Sequence, residues 1–457
     1  MPRLPLILAA LLVAAVFLFA SNHGSSHLDG VDLTAPAVGD EVLVEVKHDG
    51  LRLDDSELGL RLGGEVVDRL VELGVVRLRL PDGESVLDAI IRLTRIDIVA
   101  RAEPNHRLRA SLVPNDPFYT AQSGYLVQIE AQDAWEVELG DDSVLVAVLD
   151  SGIDLEHPDL QGRTWTNHSE IGENGLDDDQ NGCVDDLKGC NFVSLSSSDA
   201  ACEAPKSGRV ADDNGHGTFV SGIIGATAGN AQGISGIAPQ ATILPVKILD
   251  CLGGGTAADA AQAILYAARL GARVANISFG ADGESQTLAS AIREAHNRHG
   301  MVIVAATGNE GVSRVSFPAR LPETFAVASS GTPANANERS PFSDWGPEVR
   351  FAAPGQNIVS TVPLRFCERG WLCVAGQPYA IASGTSFAAP IVSGLAALIV
   401  SRFPNLSPEG VHRIIASTAE NLPDGGTPNW DGAGRIRMKA ALTLPRYSLG
   451  ATGVAKQ

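Results

Sequence analysis

Three short strings, far apart along the chain, each set one reactive side chain among residues too small to crowd it. They are Val146-Ala147-Val148-Leu149-Asp150-Ser151-Gly152, Asn214-Gly215-His216-Gly217-Thr218 and Ser383-Gly384-Thr385-Ser386-Phe387-Ala388-Ala389-Pro390. The first is an apolar run that reads as a buried parallel strand delivering Asp150 at its carboxyl end. The other two open helical stretches carrying Gly217, Gly222 and Gly225, or Ala388, Ala389, Gly394, Ala396 and Ala397, which let a helix lie close against a sheet. A fold that serves all three brings one strand end and two helix starts to one place. Elsewhere, Ile243–Lys247, Val274–Ser278, Val302–Ala306 and Phe325–Ala328 read as strands, with helices predicted over Thr256–Leu270 and Leu288–His299. Ser407-Pro408-Glu409 opens a late helix with a cap and a first-position proline. The expectation is an α/β fold, a doubly wound, mainly parallel sheet with helices on both faces, with its site at the carboxyl ends of the strands.

Asp, His and Ser are the residue types that nucleophilic acyl transfer needs. A serine hydroxyl is a weak nucleophile near neutral pH. A histidine within hydrogen-bond reach must take its proton, and a carboxylate must fix the imidazole's tautomer and stabilise its charged form. Asp150, His216 and Ser386 would fill those roles. Singly, an Asp-Ser-Gly is more often a turn, a Gly-His-Gly a loop and a Gly-Thr-Ser a helix cap. Together with the strand-to-turn string ending Thr307-Gly308-Asn309, residues 111–442 resemble the subtilisin-like serine proteases.

That resemblance implies a secreted, self-processing serine endopeptidase that hydrolyses peptide bonds through an acyl-enzyme. It implies that the Asn309 side chain and the Ser386 backbone N–H donate to the developing oxyanion. It also implies that Ser278-Phe279-Gly280 and Ala305-Ala306-Thr307-Gly308 wall the pocket for the residue before the cut, and that Gly253-Gly254-Gly255 edge the upstream subsites. Small walls suggest a roomy, mostly apolar pocket, and Glu310 at its mouth would favour basic residues as well. Phe219 and Ile391 stand where the family usually has histidines, and Phe387 where methionine commonly follows the serine; these departures bear on packing. A catalytically silent binding protein is the alternative, and the intact Asp150, His216, Asn309 and Ser386 count against it.

A basic start, Met1-Pro2-Arg3, precedes an apolar run from Leu4 to Ala20 and then polar Ser21-Asn22-His23-Gly24. This reads as a secretory signal over residues 1–20, although the run lies between the about 7–15 residues of a signal core and the about 20 of a membrane anchor. Either way the enzyme is exported, to the extracellular space or a periplasm, and it is membrane-anchored if the segment is retained. No later stretch is expected to span a membrane. Six cysteines fit an oxidising compartment. Connectivity is open from spacing; two local pairs, Cys183–Cys190 and Cys367–Cys373, with Cys202–Cys251 remaining, are the expected set, and free buried thiols are the alternative. Zinc is disfavoured because paired Cys-x-x-Cys knuckles are missing. A net charge of −20 without a Lys/Arg-rich block argues against nucleic acid as a partner. Polypeptide substrates are the partners expected of a monomer.

Residues 40–110 look like an independent α+β unit. Glu41–Lys47 alternates as a strand, Glu65–Leu73 carries helical apolar spacing, and Val75–Leu80 is a second strand closed by Pro81-Asp82-Gly83. Ser85 caps a second helix with Asp88 three residues on, and Ile98–Ala100 with the stretch around Glu103-Pro104-Asn105 completes a βαββαβ-like pattern. This resembles the family's inhibitory propeptide, which places an inhibitor domain over residues 21–110 and the catalytic domain over 111–457, with the Pro114-Asn115-Asp116-Pro117 hinge near the mature N-terminus.

Between the Asp and His strings lies an acidic insert, Glu170 to Asp186, with seven carboxylates and no Lys or Arg. Asp177, Asp179, Asn181, Gly182 and Asp185 follow the D-x-D-x-N-G spacing of a calcium loop. Position twelve is Lys188, where an EF-hand needs Glu. A looser calcium cage including Asp186 is expected, because unneutralised carboxylates so close would repel; a solvated acidic loop is the alternative. Asp116 and Asp159 match positions where relatives of the family place calcium ligands.

Overall fold

The structure is a computed structural model of the 457-residue chain, described over residues 37–106, 114–194, 207–281, 283–368, 373–423 and 426–444. It divides into two compact units, Met1–Arg109 and Ala110–Gln457.

The first unit runs β1 (Ala37–Val46), α1 (Asp55–Leu62), β2 (Glu65–Leu70), β3 (Val75–Arg79), α2 (Val86–Leu93) and β4 (Val99–His106). Its strands form an antiparallel sheet in the order β2-β3-β1-β4, and the helices bury Leu58, Leu62, Ala89, Ile90 and Leu93 against Val42, Val44, Val76 and Leu78. The βαββαβ order is present, with the first helix earlier than its apolar spacing indicates. Glu65–Leu73 is an edge strand and a 3₁₀ turn, and the helix is Asp55–Leu62. Caps decide this: Asp54 accepts from the Glu57 N–H at one end, and Gly63 takes a left-handed φ of 68° at the other. Ser85 caps α2 as expected, accepting from the Asp88 N–H and donating to its carboxylate.

The second unit runs α3 (Tyr119–Gln128), α4 (Ala131–Trp135), β5 (Leu145–Asp150), β6 (Cys190–Asn191), α5 (His216–Gly225), β7 (Thr242–Lys247), α6 (Ala257–Arg269), β8 (Val274–Ile277), α7 (Gln286–His299), β9 (Val302–Ala306), β10 (Thr324–Ser330), β11 (Val349–Pro354), β12 (Ile358–Thr361), α8 (Leu364–Glu368), β13 (Tyr379–Ala382), α9 (Thr385–Arg402), α10 (Pro408–Thr418) and α11 (Met438–Thr443). Seven strands pair in parallel in the order β11-β10-β9-β8-β5-β7-β6, while β12 and β13 form a separate antiparallel pair. Side chains alternate along β5: Val146 and Val148 join the core beneath α5 and α9, and Leu145, Ala147 and Leu149 join the core beneath α6 and α7. This is the expected doubly wound, mainly parallel α/β architecture with helices on both faces.

The helix that carries Ser386 is the centre of one layer. All of α9 from Phe387 to Val400 is buried. Its 18 residues have the length and hydropathy to cross a membrane, contrary to the expectation that no later stretch would, yet the helix is the core of this unit. Small residues let it in: a Cβ on Gly394 would meet the Ile237 side chain at 2.6 Å. A Cβ on Gly217 would overlap the Gly152 carbonyl oxygen, so a glycine here lets α5 reach the end of β5. Phe219, Phe387 and Ile391, the departures from the family pattern, are buried together, with the two phenyl rings 4.4 Å apart. Disulfides join Cys183 to Cys190 and Cys367 to Cys373, and Cys251 is also disulfide-bonded; Cys202, its expected partner, lies outside the described residues.

Candidate active site

Asp150 is the last residue of β5 and wholly buried. Its Oδ1 accepts the Ser151 N–H at 2.8 Å and Nδ1–H of His216 at 2.8 Å, with Oδ2 3.0 Å from the same nitrogen. His216 opens α5, and its ring lies 5.5 Å from that of Phe387. Burial draws its pKa down, but the charge and hydrogen bond of Asp150, with the charge of Asp212, overcome this and leave it above the ordinary histidine value.

Ser386 lies in the first turn of α9. Its hydroxyl donates to the Ser278 carbonyl at 3.1 Å, a rotamer in which it is held by β8's end and not by His216. A relay of side chains fixes this turn: Ser393 Oγ donates to Asn276, Asn276 Nδ2 to Ser278 Oγ, and Ser278 Oγ to the Ser386 carbonyl, each at 2.8–2.9 Å. Asn309 follows β9. Its side-chain oxygen accepts from the Thr385 N–H (2.8 Å) and hydroxyl (2.9 Å), which leaves its Nδ2 protons free to serve a third group.

A cavity of about 390 Å³ opens beside Ser386 and Asn309, bounded by Ser278, Phe279, Gly280, Ala306 and Gly308. Ala305 and Thr307 are buried and do not line it, and neither does the Gly253-Gly254-Gly255 turn, which is held by Asp250 accepting from the Leu252 and Gly254 N–H groups. The wall also includes Glu310, Ser316 and Asp344. The sequence carries no local sign of Ser316 and Asp344 as pocket residues.

Asp212 is the other group that sequence reasoning missed. This buried carboxylate accepts from Ser151 Oγ (2.8 Å), the N–H groups of Asn214, Gly215 and Thr218, and Thr218 Oγ1 (2.6 Å); Ser151 Oγ in turn accepts the Gly217 N–H. One side chain thus ties the residue after Asp150 to the first turn of the His216 helix. Its signal in the sequence is an Asp four residues before the histidine, in position to cap. On the far side, buried Lys247 donates to the carbonyls of Ser151 and Leu249 and to Asp213 at 2.7 Å.

In the acidic insert the structure gathers carboxylate oxygens of Glu170, Asp177 and Asp179 within 4.8 Å of one another. Asn181 and Gly182 turn their N–H groups onto Asp177. Asp185 faces away, accepting from the Asn174 and Gly175 N–H groups, and Asp186 is spent on Asn167, Asn181 and Tyr266. Glu170 is only 6% exposed, its Oε1 has no partner, and burial with the charges of Asp186, Asp178 and Asp179 raises its pKa. An unpaired buried oxygen among three hard anionic donors fits a calcium ion. Asp116 and Asp159 meet on a different loop. Asp116 accepts from the Gly229 and Asn230 N–H groups and Ser235 Oγ, and Asp159 from Asn230 Nδ2 and the Ile234 N–H, with burial pushing Asp159 to about 6.

The pattern of the subtilase family, peptidase S8, matches residues 141–434, and that of the fervidolysin N-terminal prodomain matches residues 33–105. The chain is 35% identical over 358 residues to the thermophilic serine proteinase of Bacillus sp. strain AK1, covering 78% of this chain and 76% of that protein. It is 34% identical over 329 residues to thermitase of Thermoactinomyces vulgaris, covering 72% and 99%. The crystal structure of fervidolysin from Fervidobacterium pennivorans, described as a keratinolytic enzyme related to subtilisin, is similar with a TM-score of 0.55 and 26% identity, over 90% of this chain and 61% of that one.

The ties made by Asp212 set a stability prediction. Asp212→Ala leaves buried N–H groups without acceptors, each costing about 1–3 kcal/mol, so its melting temperature falls by several degrees. Asp212→Asn, which keeps one acceptor oxygen, melts between the two. Equal midpoints for all three proteins in circular-dichroism melts would contradict the role assigned to this carboxylate.

Proposed function

Because the chain belongs to the subtilase family, as a subtilisin-like serine protease with an N-terminal prodomain, we propose that Asp150, His216 and Ser386 are its catalytic triad and Asn309 its oxyanion donor. The observation that carries this is the Asp150–His216 pair, with Nδ1–H committed to the carboxylate. Nε2 is then the nitrogen left to receive a proton. In the proposed cycle the Ser386 hydroxyl leaves the Ser278 carbonyl, passes its proton to Nε2 and attacks the peptide carbonyl carbon. Asn309 Nδ2 and the Ser386 N–H receive the oxyanion, and His216 then protonates the leaving amine. Water, deprotonated by the same imidazole, releases the acyl group. Loss of one oxyanion donor costs about 10²–10³ in kcat.

In this proposal residues 1–20 direct export, residues 21–110 form the prodomain that inhibits the enzyme until cut, and residues 111–457 form the catalytic domain, acting as a monomer on polypeptides. The disulfides Cys183–Cys190 and Cys367–Cys373 support an oxidising destination. We assign a calcium ion to Glu170, Asp177 and Asp179, where it neutralises the charge that otherwise drives the insert open. Asn181, Asp185 and Asp186, part of the loop expected from sequence, serve here as loop hydrogen-bond partners. Asp116 and Asp159 remain proposed as a second place for the ion.

A fluorophosphonate probe is expected to label Ser386 in the wild type. Ser386→Ala loses both the label and peptide hydrolysis, and accumulates with its prodomain attached when no other protease is present. Background labelling of the wild type would reject the assignment of the nucleophile.

Melts of the Ser386→Ala protein, free of self-digestion, test the ion. Calcium at about 100 times its dissociation constant stabilises the fold by about 2.7 kcal/mol, so the midpoint rises relative to chelator. Glu170→Gln and Asp179→Ala flatten that response, while Asp185→Ala keeps it. Identical midpoints with calcium and chelator would remove the ion from the account.

A further inference from the structure

We propose that the cavity beside Ser386 selects lysine or arginine as the residue before the cut, with Asp344 the specificity-determining carboxylate in its wall and Glu310 a second acid at its mouth. This rests on the reading of Ser386 as the nucleophile. The small residues of the walls suggest an apolar pocket; the structure instead lines it with Ser278, Asn309, Glu310, Ser316 and Asp344, and among the described residues none that lines it is basic.

Asp344 is fixed from both sides on the turn that follows Asn309. Its N–H donates to the Gly308 carbonyl at 3.0 Å, and Oδ1 accepts the N–H groups of Glu310 and Val312, each at 3.0 Å. Those bonds use Oδ1. Oδ2 packs, beside Ser316 Oγ, against the face of Gly308, so closely that a Cβ there would overlap both oxygens. Gly308 also has a φ of 113°, so the position demands glycine twice over.

The carboxylate is 2% exposed, and burial, with the charge of Glu310, raises its pKa despite the N–H groups it accepts. That is the direction for an anion short of positive charge. Arg339 lies close enough to be affected by its charge, but its Nη1 serves the carbonyls of Ser340, Pro341 and Ser343. Arg314 stands 3.9 Å from Glu310, and both are well exposed, a pairing that contributes little and yields readily to another cation. A lysine or arginine fits this arrangement by chemistry. Its methylene stem lies along Ala306 and Gly280, and its charge meets Ser316, Asp344 and, nearer the mouth, Glu310.

A cap for the turn at Glu310 to Val312 would explain Oδ1 alone, and asparagine caps equally well. Asp344→Asn therefore removes the charge while keeping the acceptor. The test measures kcat/KM on peptide anilides differing only at the residue before the cut: Arg, Lys, Phe, Leu and Glu. The processed wild type is expected to favour Arg and Lys over Phe by about tenfold or more, the range of a hydrogen bond to a charged group, with Glu poorest. Asp344→Asn lowers the Arg/Phe ratio about tenfold, chiefly through KM, and Glu310→Gln lowers it less. Benzamidine competes with the Arg substrate in the wild type, a measurement that stands even if Asp344→Asn fails to fold. A wild type that prefers Phe or Leu and ignores benzamidine, or a ratio unmoved in Asp344→Asn, overturns this inference and leaves Ser386 as nucleophile. A wild type that cleaves none of the panel overturns both.

Discussion

One hydrogen bond, from His216 Nδ1 to a fully buried carboxylate, sets the terms for the rest of the catalytic unit. A buried anion is costly unless donors surround it. Asp150 meets that cost with the Ser151 N–H and the imidazole, which requires β5 to end and α5 to begin at the same point. Asp212 joins the two through Ser151 and Thr218, Lys247 holds the Ser151 and Leu249 carbonyls from behind, and Gly217 lets the helix touch the strand end. The sheet order follows suit: β5 lies inside the sheet between β8 and β7, whose ends supply Ser278 and Lys247. Chemistry and packing are therefore constraints on the same few residues.

Much of this was legible because local signals agreed with tertiary demands. The apolar β5 run, the small-residue helices and the cap at Ser407 each point to the element that forms, and Ser407 accepts an N–H of its own helix; Thr256 and Ser285 cap α6 and α7 in the same way, the second starting its helix at Gln286, ahead of the expected Leu288. Glu65–Leu73 differs because Val66, Leu70 and Leu73, at helical spacing, also suit an edge strand and the turn after it, and the caps at Asp54 and Gly63 place the helix upstream. What escaped was long-range. Ser393, Asn276 and Ser278 form a relay across 117 residues of sequence, and Asp344 reaches back over 34 to the turn after Asn309. No periodicity encodes such partners.

In the acidic insert the local pattern and the hydrogen bonding pick out different oxygens. D-x-D-x-N-G spacing nominates four side chains, with Asp186 as a fifth, but the backbone turns Asp185 with a φ of 55° away toward Asn174, and Tyr266, Asn167 and Asn181 occupy Asp186. Glu170, outside the pattern, takes their place beside Asp177 and Asp179. A spacing rule specifies which residues are near in sequence, whereas hydrogen-bond competition decides which oxygens stay available to a cation.

Against the effect of burial, the charge and hydrogen bond of the Asp150 carboxylate, with the charge of Asp212, hold His216 in one tautomer and raise its proton affinity. Nuclear magnetic resonance titration of the His216 ring in the Ser386→Ala protein measures this directly. The midpoint is expected above the ordinary value of about 6.5, with Nδ1 protonated on both sides of it, and is expected to fall in Asp150→Asn. A His216 that titrates at or below 6.5, or one indifferent to Asp150→Asn, would contradict it.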